Sequence, residues 1–407
     1  MRVYQFSEQP YHVAWDIADS VDSLRVTLPN RYCEPEVVSR LINERLDEWT
    51  LCDELGLNII VNEHHASATS VSPSPETTLA MLAARTKRAR LLALGFAIAN
   101  RTEPLRLAEQ LAYIDVVSRG RVDIGFVKGS PYDIAPANAN PVGITDRWLD
   151  THDLIVRAFT HHDGPFTWES PYHEYRQVNI WPRPWQQPHP PIFVTGGSPE
   201  TAASTGRLGY TLVTILGGWN AKRLFQIYRD NAEEAGIENV GPRNFGYCAL
   251  VGVGETEREG LERLDRVAGY FRTTSIVAEP FINPPGYMPP AGNAAWLKKN
   301  QTRGRAGRFF PATKRDGTVL RIGSGAGHGL GVTPKDMIDA AIALGGTPDQ
   351  VAEQIAEFHE HTGGFGNLIM MGHGGDLSHE ETKASLTLMG TEVLPQIESL
   401  NAKATVA

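Results

Sequence analysis

Short apolar runs alternate with longer amphipathic stretches along the chain. The runs are Arg2–Phe6, Asn58–Val61, Arg90–Ala97, Val122–Val127, Ile192–Thr195, Tyr210–Ile215, Phe245–Val253 and Phe365–Met371. Runs of this length, bounded by turn residues, read as strands covered on both faces, as in a parallel sheet. Between them, apolar residues recur at helical spacing. Val38, Leu41, Ile42, Leu46, Trp49 and Cys52 share one face of a helix that Pro35 can open and Gly56 can end. Ser74-Pro75-Glu76 reads as a second helix start with a hydroxyl cap. Asn100 to Pro104 turns into a third helix, which carries Leu107, Leu111, Ile114 and Val117 and closes at Gly120. Further helices are expected over Ala221–Ala235, after Thr256, after Thr347 and over Glu380–Leu394.

Eight strands, each followed by a helix or by an insertion long enough to hold one, predict an α/β chain folded as a (β/α)8 TIM-like barrel. A single domain over residues 1–400 is expected, with insertions after strands four and seven at 129–146 and 270–330. The aromatic, proline-rich stretch 161–191 reads as a hairpin and an extended arm. After Gly345 and Gly346, Thr347 is placed to cap a helix. An open doubly wound sheet would call for a nucleotide-binding loop. Gly323, Gly325, Gly327 and Gly329 miss the GxGxxG spacing, and no GxxxxGK[ST] occurs.

Composition narrows the function classes. The 407 residues are 41% hydrophobic and 21% charged, with a net charge of −9, so no global nucleic-acid footprint is expected. Cys33, Cys52 and Cys248 are few and scattered, which fits a reducing compartment and gives no zinc spacing. MRVYQFSEQ lacks a signal-peptide core and no run reaches the length of a membrane span, so a cytoplasmic protein with no membrane partner is expected. One local exception is the run Lys298, Lys299, Arg303, Arg305, Arg308, Lys314 and Arg315 after a proline- and glycine-rich segment. It reads as a lid over 280–316 that attracts an anion, or equally as a solvated charged face.

The candidate chemistry sits at strand ends. Asn62, Glu63, His64 and His65 follow the second strand directly, where a barrel carries its active site. Taken alone they also fit a polar loop with two surface histidines. As catalytic candidates, His64 would move a proton near pH 7 as a neutral imidazole with an ordinary pKa of ~6.5. Glu63 would orient an imidazole or pack against a ring, and His65 would point elsewhere. Gly196, Gly197, Ser198 and Thr201 join a strand to a helix start. Such a start aims free N–H groups at an anion, though a well-capped helix alone also explains it. Lys128 and Arg147 could supply positive charge. No metal is expected: HExxH is absent, and His359, Glu360, His361 and His373 are poorly spaced. No GxSxG marks a nucleophile. Trp15, Trp168, Trp181 and Trp185 would permit an apolar or aromatic substrate.

Taken in order, these segments resemble the bacterial luciferase-like flavin monooxygenases. The resemblance rests on Glu63-His64-His65, on Asn100 to Pro104, and on RLAEQLAYIDVVSRGRVDIGFVKG from Arg106 to Gly129. It extends through Pro190-Pro191-Ile192, Gly196 to Thr201, and MGHGGDLS from Met371 to Ser378. It implies use of reduced FMN (FMNH2) and dioxygen, with oxygen adding at flavin C4a before one atom passes to a small organic substrate. It also implies a separate NAD(P)H-dependent flavin reductase as partner, and a homodimer. Lys128 and Arg147 then match contacts of the FMN phosphate, and Ser198 and Thr201 the phosphate-binding helix start. Lys128 stands where luciferases proper carry arginine, and Gly197 where they carry an acid, which argues against light emission. A deazaflavin-dependent oxidoreductase and a non-catalytic flavin-binding protein on the same barrel are the alternatives.

Overall fold

The computed structural model describes residues 1–274, 276–288, 290–294, 309–323 and 331–401. Lys298, Lys299, Arg303, Arg305 and Arg308 of the basic run lie outside the described residues, as do Gly325, Gly327 and Gly329.

The strands are β1 (Arg2–Ser7), β2 (Asn58–Val61), β3 (Leu91–Ala97), β4 (Val122–Val127), β5 (Phe166–Glu169) and β6 (Glu174–Val178). They continue with β7 (Ile192–Thr195), β8 (Thr211–Ile215), β9 (Phe245–Val253), β10 (Phe309–Thr313), β11 (Val319–Gly323), β12 (Ala343–Gly346) and β13 (Asn367–His373). Neighbours run β9-β13-β1-β2-β3-β4-β7-β8, and β8 pairs back to β9, so eight parallel strands close a barrel. The fold is the TIM-like barrel that the alternation implied. Two hairpins lie outside it, β5–β6 in the aromatic arm and β10–β11 in the later insertion. Helix Glu257–Thr274 continues into the stretch read as insertion.

One strand differs from expectation. The sheet has a ninth member, β12, which pairs with Leu250–Val253 at the C-terminal half of β9. Its four residues end in Gly345-Gly346, which in sequence resembles only the turn before the Thr347 cap. The cap is present, with Thr347 accepting from the Gln350 N–H. Ser74 departs from its expected role: its hydroxyl meets Thr77 Oγ1 at 2.7 Å and does not cap the backbone. Pro75 at the first helical turn still fits, because that N–H would lack a partner anyway.

Alternation along the strands divides the interior. Tyr4, Phe6, Ile60, Leu92, Phe193 and Ile369 belong to one buried cluster. Val3, Ile59, Val61 and Leu91 pack instead with helical residues such as Trp49, Leu79 and Leu107. At β3 and β4 the approach is closer than side chains allow: a Cβ on Gly125 would stand 2.3 Å from the Ala93 carbonyl oxygen. The same β3–β4 pair changes register between Ala93 and Phe96, and Gly95 there opens onto the cavity described next. Asp53, near the end of the first helix, accepts from the N–H groups of Lys87, Arg88 and Ala89 at 3.0, 2.7 and 2.6 Å. That ties the helix to the loop entering β3. Burial raises the Asp53 pKa, but the three donors and Arg121 outweigh it and leave the carboxyl below its usual range.

Candidate active site

A cavity of about 1130 Å³ opens at the C-terminal ends of the barrel strands. Phe6, Ile60, Leu94, Phe126, Val194 and Met371 give it apolar walls. Its polar lining includes Glu8, Arg25, Asn62, Glu63, His64 and Asp133.

His64 reaches this cavity because the chain leaves β2 at Val61 and is then held by a short return. The His64 N–H donates to Ser72 O at 3.1 Å, and Ser72 Oγ donates to Asn62 O at 2.6 Å. The imidazole Nδ1 lies 3.2 and 3.3 Å from the two Asp133 oxygens. Its Nε2 lies 3.9 Å from Glu8 Oε2. Asp133 is held in turn by the Ser130 N–H at 3.2 Å, and Glu8 by Asn62 Nδ2 at 2.7 Å. Burial disfavours the charged ring, but Tyr132, Asp133 and Glu8 together outweigh it and raise the pKa to about 9. The expectation of a neutral imidazole at pH 7 is therefore corrected. His64 stands between two carboxylates and carries its proton at neutral pH.

Glu63 lines the same cavity but is committed elsewhere. Its oxygens accept from the Ala97 N–H at 3.1 Å, from Arg101 Nη2 at 2.9 Å and from His65 Nε2 at 3.0 Å. Burial raises the Glu63 pKa, but these partners outweigh it and hold the carboxyl below its usual range. The imidazole it orients is that of His65.

The residues singled out for an anion separate into two groups. Lys128, Gly197 and Thr201 line the cavity; Gly196, Ser198 and Arg147 do not. Lys128 Nζ sits 4.6 Å from the centre of the Tyr287 ring, and no carboxylate pairs with it among the described residues. Partial desolvation lowers its pKa. Tyr287, from the segment read as a lid, donates to Gly129 O at 2.9 Å. Ser198 caps helix Pro199–Leu208 by accepting from the Thr201 N–H at 3.2 Å. Gly196 is needed there, since a Cβ would fall 2.2 Å from Thr201 Cγ2. The Arg147 guanidinium is spent on backbone carbonyls: Nε donates to Ala99 O at 2.7 Å, and its two terminal nitrogens donate to Val142 O and Asn140 O. Glu200 opens the same helix from the cavity side, its carboxyl held low by its own N–H and the Ser198 hydroxyl.

The family model described as luciferase-like monooxygenase matches residues 38–363. The chain belongs to the luciferase-like monooxygenase family. Among its relatives in that family, limonene 1,2-monooxygenase of Rhodococcus erythropolis is 24% identical over 87% of this chain and 81% of that protein. The oxygenase component of flavin-dependent trigonelline monooxygenase from Acinetobacter baylyi is 29% identical, over 42% of this chain and 48% of its own length. The oxygenating constituent of 3,6-diketocamphane monooxygenase from Pseudomonas putida, solved with FMN, shares the fold. Its TM-score is 0.66 and its identity 20%, over 97% of this chain and 98% of that one.

Against this luciferase-like frame, several cavity residues carry no sequence signal of their own. Asp133 and Glu8 lie far along the chain from His64 and meet it only in the fold, and Arg25 reaches the Tyr132 ring that His64 also touches. Ser130-Pro131-Tyr132-Asp133 does have the spacing of a capping box, which could have marked Asp133 as fixed. Trp148 and Arg207 also line the cavity, and Trp148 Nε1 is buried with no acceptor among the described residues. Trp181 and Trp185 are corrected: they are 81% and 58% exposed, on the outer surface. Trp15 and Trp168 do not line the cavity either. His359, His361 and His373 go to separate partners, Asn401, the Trp219 carbonyl and Ser7. No cluster of metal-binding residues occurs among the described residues. No described helix is long and apolar enough to cross a membrane.

Proposed function

We propose that this protein is the oxygenating component of a two-component flavin system. It takes reduced FMN from a separate NAD(P)H-dependent reductase and uses dioxygen to place one oxygen atom in a small organic substrate. The observation that carries this reading is His64, a charged imidazole braced by two carboxylates on the wall of a cavity of flavin-plus-substrate size. The residues present fit the cofactor. Lys128 is a cation with no carboxylate partner among the described residues, and Thr201 and the buried Trp148 Nε1 add donors on the same cavity wall. Together they would hold the FMN phosphate, with Ser198 shaping the helix start from behind.

Reduced flavin, when bound, supplies the two electrons that dioxygen needs. The chain supplies the remainder. His64 holds a proton where negative charge would grow on oxygen, and Asp133 keeps that proton on the ring. Phe6, Leu94, Phe126 and Met371 exclude water, which favours transfer to substrate over loss as hydrogen peroxide. A homodimer belongs to the same proposal. Met81, Tyr113 and Val117 expose apolar surface on two neighbouring helices, Pro75–Arg85 and Pro104–Ser118.

The test supplies the protein with a flavin reductase, NAD(P)H, FMN and a panel of small organic compounds under isotopically labelled dioxygen. One labelled oxygen atom should appear in a product by mass spectrometry. Flavin oxidation that yields only hydrogen peroxide with every compound would leave a flavin-binding protein, not a monooxygenase.

A further inference from the structure

Arg25 is a buried cation on the wall of the cavity, 6% exposed, and is not paired with a carboxylate among the described residues. Its place is set by backbone contacts on both sides. Arg25 bridges Ser67, the Val26 N–H donates to Ala66 O at 2.7 Å, and Ser23 Oγ accepts the Arg25 N–H at 2.9 Å. From there Nε donates to Thr274 O and Nη2 to Tyr270 Oη, both at 3.1 Å. The guanidinium lies over the Tyr132 ring at 4.6 Å. The remaining nitrogen, Nη1, is buried and meets no acceptor among the described residues.

This arrangement is costly as it stands. A guanidinium keeps its charge in any protein environment. Burial disfavours that charge, but Tyr132, Tyr270 and Glu8 outweigh it, and what is left uncompensated is Nη1, a buried donor without an acceptor among the described residues. The nearby acids are already engaged. Glu8 accepts from Asn62 and faces His64, and Asp133 holds His64 and the Ser130 N–H. The cluster therefore offers one rigid, pre-placed charged donor, Nη1, that no acceptor among the described residues satisfies.

We infer that Arg25 recognises a carboxylate on the substrate. The carboxylate accepts from Nη1, and the Tyr132 ring supports the guanidinium from its other face. The substrate's apolar body lies along Phe6, Ile369 and Met371, which line the same cavity. His64 packs against the same Tyr132 ring, at 5.8 Å between ring centres, so the bound carboxylate sits beside the proton donor. This deepens the proposed function, and rests on it only in taking the cavity as the substrate site.

The experiment uses flavin-free protein and calorimetric titration with benzoate and cyclohexanecarboxylate against their neutral analogues benzamide and cyclohexylmethanol. The carboxylates should bind about tenfold or more tightly than the neutral compounds. Arg25→Met should abolish that preference and Arg25→Lys keep part of it, while both variants bind reduced FMN as the parent does. Carboxylates that bind no better than the neutral compounds overturn the assignment, as does a preference that survives in Arg25→Met. Should Arg25→Met fail to fold, Arg25→Lys decides: a weakened preference with full FMN affinity supports the assignment, and an unchanged preference overturns it. Failure of the flavin reading would show separately, as loss of reduced-FMN binding in the parent protein.

Discussion

Replacing His64 with alanine is expected to cut oxygenated product by ~10²-fold or more, in line with losing a positioned acid. Reduced FMN is supplied chemically in this test, so that no reductase step enters. Dioxygen should still be consumed, because electron supply rests with the flavin. The lost product should reappear as hydrogen peroxide, since the proton that His64 holds is missing where the oxygen atom is handed on. Flavin affinity should survive, because Lys128 follows β4 and Thr201 lies on helix Pro199–Leu208, neither on the segment that carries His64. A variant that forms product at the parent yield would remove His64 from the chemistry.

The second large effect is on pH. His64 has a pKa raised to about 9, so its charged form is present below that value and is lost as pH rises through it. Product yield relative to hydrogen peroxide should hold level from neutrality and then fall, tenfold per unit at most, with a midpoint near 9. Asp133→Asn removes the carboxylate that faces Nδ1, and with it the main charge within hydrogen-bond reach. The falling limb should then move to lower pH, toward the ordinary histidine value of ~6.5. Asp133 acts here as a positioning residue, and the shifted limb separates that role from simple loss of structure. An unmoved midpoint in Asp133→Asn, or a parent midpoint already near the ordinary value, would contradict the charged-imidazole account.

How much of this was legible in the sequence depends on the range of the interaction concerned. The eight barrel strands were readable because each is an apolar run bounded by turn residues, a local property. β12 was not, because Ala343–Gly346 is four residues long and ends in two glycines, and only its pairing with β9 makes it a strand. His64 was legible as a strand-end residue, whereas its charge was not. The acid beside it in sequence, Glu63, turns to His65, Arg101 and the Ala97 N–H, and the acids that set its proton come from loops after β1 and β4. Arg147 shows the reverse: a cation at a helix start suggests an anion, but backbone carbonyls of the preceding loops satisfy it. Arg25 had no local pattern at all, since its meaning comes from Thr274, Tyr270 and Tyr132 closing around it.

The central claim is that this cavity is built for reduced FMN, and anaerobic titration tests it most directly. The parent protein and Lys128→Ala are titrated with reduced FMN, oxidised FMN and reduced deazaflavin. Reduced FMN should bind most tightly to the parent. Lys128→Ala should weaken it about tenfold, as expected for loss of one charge-assisted phosphate contact. Tighter binding of the deazaflavin, or reduced FMN affinity indifferent to Lys128, would contradict the account.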